Sequence, residues 1–177
     1  MGSTNKRYII TGGPGTGKTS LITELRKHGC LCYDEVSRKI IIEQQALGSN
    51  KTPWGDLPAF VDLVYRQTIK ELDHPVQKNT FVDRGLPDSI AYLCAKSYPV
   101  PDYLLDFLYK TYYKTTVFLA PPWEEIYIND SQRPQSYQEA VCIHEHLVMI
   151  YQKLGFTMHV LPQTTLTKRV DFIMSII

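Results

Sequence analysis

The sequence predicts an α/β domain, with a five-stranded parallel sheet covered by helices on both faces in three layers. Three observations carry that expectation. Short apolar runs alternate with longer helical stretches along all 177 residues. Strands and helices in alternation need right-handed crossovers, which leave a parallel sheet buried on both sides. The first apolar run is followed by a glycine-rich turn and then by a helical pattern. Composition agrees: 44% apolar residues can fill a core, and 19 basic against 18 acidic side chains leave a net charge of +1. That balance excludes the signature of disorder and lacks the basic excess that a nucleic-acid partner demands, so none is expected.

The elements follow in order. Arg7-Tyr8-Ile9-Ile10-Thr11 reads as the first strand, and the helix after the glycine turn runs to about His28, where Gly29 stops it. Cys30-Leu31-Cys32-Tyr33 is the second strand, with two cysteines sharing a face as buried small hydrophobes. Val36 to Leu47 forms a helix closed by Gly48. Asp56 opens another, with Pro58 tolerated in its first turn and Phe60, Leu63, Val64 and Ile69 at three-to-four spacing. Thr80-Phe81-Val82 is the third strand. Helical stretches at roughly 88–97 and 102–112 lead to the fourth, Val117-Phe118-Leu119, which Pro121-Pro122 ends. Ser136 and Glu139 form a capping box for a helix to about Leu154. Gly155, a strand over Met158–Leu161 and an amphipathic helix from Leu166 to Ile177 complete the chain. Residues 1–177 therefore read as one domain. No apolar run approaches the roughly 20 residues of a membrane span. The four cysteines form no C-x-x-C pair, so a reduced, cytoplasmic setting is expected.

The chemistry begins at Gly12-Gly13-Pro14-Gly15-Thr16-Gly17-Lys18-Thr19, which fits G-x-x-x-x-G-K-[ST] between a strand and a helix. Glycines let the backbone curl so that successive N–H groups point at phosphate oxygens, and the helix beginning at Gly17 adds its positive dipole end. Lys18 reaches the β- and γ-phosphates, the Thr19 hydroxyl offers a ligand to Mg²⁺, and Ser20 completes the nucleotide-binding segment. The expected fold is thus that of a P-loop NTPase, with ATP and Mg²⁺ as ligands. The N-K-x-D guanine signature is absent, since Asn50-Lys51-Thr52-Pro53 lacks the Asp, which favours ATP over GTP.

Two acidic strand ends can complete such a site. Tyr33-Asp34-Glu35 follows the second strand and Val82-Asp83-Arg84-Gly85 ends the third. A motor ATPase would need a water-activating Glu where Arg84 stands, and a separate helical lid domain that this length cannot hold. The arrangement instead suits a small-molecule kinase, with Glu35 as proton acceptor and Asp83 at Mg²⁺; helix capping is the structural alternative for Asp34 and Glu35. Residues 129–137 read as a polar lid with Arg133 as a charge-stabilising finger. Trp54 stands in a loop, either as a stacking platform for an acceptor or as a packing anchor.

The runs GGPGTGKTSLI, DEVSRKII, VDRGLPDSIAYL, VFLAPPWEEIY, NDSQR, YQKLGF and RVDFI, in this order, resemble the AAA-domain family of small P-loop proteins. That family is similar to the ribosylnicotinamide kinase domain of bacterial NAD regulators and to nucleoside kinases more widely. The resemblance implies a kinase-like fold. It puts nucleotide on Gly12 to Ser20, Glu35 and Arg38 at the substrate side, Asp83 and Arg84 at the metal and phosphates, and Arg133 in the lid. Pro134-Gln135 follow Arg133 where lids of this kind carry more charge. The expected function is phosphoryl transfer from ATP to a small acceptor (nucleoside, nucleotide or vitamin-like). The alternative is a nucleotide-gated regulatory protein with slow NTP hydrolysis.

Overall fold

The computed structural model describes residues 7–76, 78–128 and 135–177. Strands β1 (Arg7–Thr11), β2 (Leu31–Tyr33), β3 (Thr80–Asp83), β4 (Tyr113–Leu119) and β5 (Thr157–Val160) form one sheet in the order β2-β3-β1-β4-β5. All neighbouring strands are parallel. The central strand β1 is buried along its whole length. Its side chains alternate between layers: Ile9 joins one core, and Tyr8 and Ile10 join the other.

Helices α1 (Lys18–Lys27) and α8 (Leu166–Met174) cover the Tyr8/Ile10 face. Helices α2 (Val36–Ala46), α3 (Leu57–Leu72), α4 (Leu86–Ala95), α5 (Asp102–Leu105), α6 (Tyr109–Tyr112) and α7 (Tyr137–Lys153) supply the Ile9 face. The helix after β1 thus lies on one side of the sheet, and those after β3 and β4 on the other. Their connecting loops diverge, which opens a crevice at the carboxyl edge beside β1.

Several expected boundaries are realised by side-chain bonds. The Asp56 carboxylate accepts from the Ala59 N–H at 3.0 Å at the start of α3. Ser136 Oγ accepts from the Glu139 N–H at 3.2 Å while Glu139 Oε2 accepts from the Ser136 N–H at 2.8 Å, the reciprocal cap of α7. The region between β3 and β4 departs from expectation. The helix expected at 102–112 is two single turns, α5 and α6, and β4 starts at Tyr113 rather than Val117. Leu105 and Leu108 are left exposed, so these residues offer no continuous apolar stripe to hold a longer helix. Tyr113-Lys114-Thr115-Thr116 is aromatic and β-branched, and suits a strand. Cys30 and Cys32 are half-buried rather than buried; desolvation pushes the Cys32 thiol up to about 11. Among the described residues, no helix is long and apolar enough to cross a membrane.

Phe118 has no exposed surface and packs near the Tyr8 and Phe81 rings, at 6.2 and 6.5 Å between centroids. Phe118→Ala should lower unfolding stability by about 3–5 kcal/mol, read as a fall in urea midpoint at unchanged m-value.

Candidate active site

The glycine-rich turn leaves β1 at Gly12, whose φ is 148° and where a Cβ would lie 2.4 Å from the Ala120 carbonyl oxygen. Gly17, at φ 78°, is the left-handed residue from which α1 starts. Lys18 is almost fully buried, and its ammonium donates to the Gly13 carbonyl at 2.7 Å and to Thr16 Oγ1 at 3.2 Å. The Thr16 hydroxyl itself donates to the Gly13 carbonyl at 3.0 Å. Thr19 and Ser20, in the first turn of α1, are exposed. The loop is therefore closed on itself around its lysine, with two hydroxyl-bearing residues presented at the helix start.

Arg84 organises the neighbouring strand ends. It follows β3 in the left-handed region at φ 72°, uncommon for a residue with a side chain. Its Nε donates to Glu35 Oε1 at 2.8 Å; its Nη1 donates to the Gly12 carbonyl at 3.1 Å and to Asp88 Oδ1 at 3.3 Å. The guanidinium also lies over the Tyr92 ring, 5.4 Å from its centroid. One side chain thereby ties the phosphate loop, the end of β2 and the start of α4 together. Glu35 occupies the cap position of α2 but makes no capping bond. Its Oε1 instead accepts from Arg84 and, at 2.5 Å, from Ser37 Oγ.

Asp83 is 4% exposed, and its Oδ1 has no hydrogen-bond donor among the described residues. Burial, reinforced by the like charge of Glu35 and opposed by Lys18 and Arg84, pushes its carboxyl up to about 6. A buried carboxylate with an unsatisfied oxygen beside a phosphate loop is suited to a cation or to a proton.

These groups form the inner end of a cavity of about 90 Å³ between the sheet edge, α2, α3 and α4. Its walls are apolar and aromatic: Ile41, Phe60, Val61, Val64, Tyr92 and Tyr113. Pro14 of the loop and Glu35, Asp83 and Arg84 all line it, as does Arg38 from α2. Phosphate loop and cavity thus meet at the carboxylates.

The other residues singled out from the sequence fall less centrally. Asp34 also borders the cavity, but its side chain is 76% exposed and pairs with Arg26 at 2.8 Å. Trp54 is exposed in the loop before α3, and its neighbour Pro53 lines the cavity instead. Arg133 lies outside the described residues, as does the lid except for 135–137.

Sequence reasoning missed the buried support of the site. Asp88 accepts from Thr11 Oγ1 at 2.8 Å and from the Tyr151 hydroxyl at 2.6 Å, besides Arg84. Its spacing of four from Arg84 was a readable signal; its partners on β1 and α7 were not. Arg7 is buried in the cavity wall and donates to the carbonyls of Glu71, Leu72 and His74 at 3.2, 3.4 and 2.5 Å, closing the end of α3. Tyr127 brings its ring against Gly15 and donates its hydroxyl to the carbonyl of Gln135, a residue of the expected lid.

With this geometry the matches to known proteins can be placed. A family described as AAA domain matches residues 7–169. The chain belongs to this AAA-domain family. No curated protein sequence matches it. Among solved structures, it is similar to a deoxyadenosine kinase from M. mycoides with the products dCMP and a flexible dCDP bound. That match has a TM-score of 0.70 and 14% identity and covers 96% of both chains. A thymidylate kinase from Candida albicans matches at a TM-score of 0.64 and 15% identity, over 97% of this chain and 90% of that one. A shikimate kinase from Aquifex aeolicus matches at 0.57 and 17%, over 96% and 94%. At such identities the likeness establishes the fold: a kinase-like P-loop domain, three layers deep, with a five-stranded parallel sheet.

The raised Asp83 carboxyl makes a test of its burial. In the unfolded chain it titrates near its ordinary 3.8, in the folded protein at about 6, so the folded state holds the proton more tightly. Its charge therefore costs stability progressively as pH rises from about 4 to about 6. Asp83→Asn should be more stable than wild type at pH 7.5 by on the order of 2 kcal/mol, and so unfold at a higher temperature. The difference should vanish below about pH 4 in melts across the range.

Proposed function

We propose that this AAA-domain protein transfers the γ-phosphoryl group of ATP to a hydroxyl-bearing small molecule seated in the cavity. One observation carries the reading: the phosphate loop and a largely apolar cavity share the Glu35–Arg84–Asp83 cluster. A donor phosphate and an acceptor hydroxyl would meet there with water displaced by the cavity walls.

The roles follow from the contacts. The backbone amides of Gly12, Gly13, Pro14's successor Gly15, Thr16, Gly17 and Lys18 cradle the phosphates, with Thr19 and Ser20 at the helix start. Glu35 accepts the proton of the attacking hydroxyl; Arg84 and Ser37 hold its carboxylate in one orientation. The acceptor oxygen forms a bond to Pγ as the bond from Pγ to the β-phosphate oxygen breaks, and ADP leaves with the electron pair. Lys18, Arg84 and the lid's Arg133 offset the charge on the transferring group. Arg38 and Asp34 border the acceptor's side of the site, and Trp54 stands exposed in the loop beside Pro53, which lines it.

The residues present fit Mg²⁺: the buried Asp83 Oδ1 has no donor among the described residues, and the Thr19 hydroxyl is presented at the surface of α1. Thr19 and Asp83 would hold the ion, directly or through water. When bound, it neutralises charge on the β- and γ-phosphates. Asp83 binds a cation in its ionised form, so metal-dependent ATP affinity should weaken as pH falls below about 6.

Glu35→Gln keeps the side chain's volume while removing its capacity to take a proton. With an acceptor found from a nucleoside, nucleotide and vitamin panel, kcat should fall by roughly 10²–10⁴-fold while ATP affinity stays within a few-fold. Full turnover by the variant would remove Glu35 from the mechanism. ATP binding by wild type with no acceptor-dependent ADP formation across the panel would favour a nucleotide-gated regulatory protein instead.

A further inference from the structure

Behind the phosphate loop stands a cation that the chemistry above does not use. Arg169 projects from α8 into the interior, is 2% exposed, and is the largest fully buried side chain among the described residues. Its Nη1 and Nη2 donate to the Thr16 carbonyl at the long distances of 3.4 and 3.5 Å, and its Nε has no acceptor among the described residues. Among the described residues, no carboxylate lies within 4.0 Å of it, whereas Arg26 has one and Arg84 has two. Burial lowers the Arg169 guanidinium below its usual range, with no charged neighbour contributing. An arginine nevertheless keeps its proton at neutral pH.

A buried charge without a counter-ion is among the costlier arrangements a protein can hold. Its place in the fold suggests what balances it. A Cβ on Gly17 would lie 3.1 Å from Arg169 Nη1, so the guanidinium rests against the Thr16–Gly17 peptide. The carbonyl of that peptide accepts from Arg169, and its N–H belongs to the turn whose amides face phosphate in loops of this motif. A cation at the carbonyl polarises the peptide and strengthens its N–H as a donor. Thr16 also holds Lys18 through its hydroxyl, at 3.2 Å.

We infer that Arg169 is a positioning residue for the phosphate chain of the nucleotide, acting through the Thr16–Gly17 peptide, with its charge balanced when the phosphates arrive. This rests on the reading of the loop as a nucleoside triphosphate site. A side chain that merely filled space behind the loop would stabilise the protein and leave affinity alone. A cation awaiting its counter-charge does the reverse: it burdens the ligand-free protein and tightens the complex.

The test combines calorimetric titration with MgATP and thermal melts without ligand, on wild type, Arg169→Gln, Arg169→Met and Arg169→Lys. Gln keeps a donor for the Thr16 carbonyl without the charge; Met keeps most of the volume. Both should melt no lower than wild type and bind MgATP roughly tenfold or more weakly, while Lys recovers most of the affinity. If Met fails to fold, the Gln variant decides. Wild-type affinity in Arg169→Gln, or a lower melting temperature with unchanged affinity, would overturn the proposal. A wild-type protein that binds neither MgATP nor MgGTP would overturn the nucleotide reading itself, and Arg169's role with it.

Discussion

The carboxyl edge of this sheet depends on where one guanidinium is held. Arg84 leaves β3 in a left-handed conformation and spends its donors on three separate pieces of chain: the Gly12 carbonyl, Glu35 and Asp88. Move that side chain and the phosphate loop loses an anchor, Glu35 loses its orientation, and Asp88 keeps only neutral donors. The strained backbone places the guanidinium where all three partners can be reached at once. Such strain persists only where the surroundings over-determine it, and Asp88 supplies that support through Thr11 and Tyr151.

The phosphate loop is shaped from outside as much as from within. Four of its glycines each face a different neighbour that a side chain would strike: Ala120 after β4 at Gly12, Ala140 of α7 at Gly13, Tyr127 at Gly15, and Arg169 of α8 at Gly17. The loop's glycines therefore answer two demands, a curled backbone and close packing by three later segments of the chain. That contact also gives the segment after β4 and the start of α7 a direct route to the nucleotide site. Tyr127, just before the expected lid, is bonded to Gln135 within it.

Stability and the proposed function pull in opposite directions in this site. Asp83 and Arg169 are both buried with polar atoms that find no partner among the described residues, and burial disfavours the charged form of each. Neither arrangement helps the ligand-free fold. Two large apolar cores, on either side of the sheet, carry the stability that makes such charges tolerable. The same economy explains why the cavity has apolar walls and a charged inner end: the walls belong to the core of α2, α3 and α4, and only the strand ends bring polar groups.

Sequence alone determined the strand–helix alternation, the phosphate loop, the caps of α3 and α7, and the two acidic strand ends. Each of these is written within a few neighbouring residues, where spacing reports backbone period and turn chemistry directly. It misjudged the stretch before β4, where exposed leucines imitate a helical pattern and only packing shows that no surface receives them. The composition of the site was decided by the tertiary structure. Arg84 meets Glu35 across 49 residues, Tyr151 meets Asp88 across 63, and Arg169 meets Thr16 across 153. The sheet order brings those pairs together and excludes water from them, and no local pattern encodes which charges will share a low-dielectric interior.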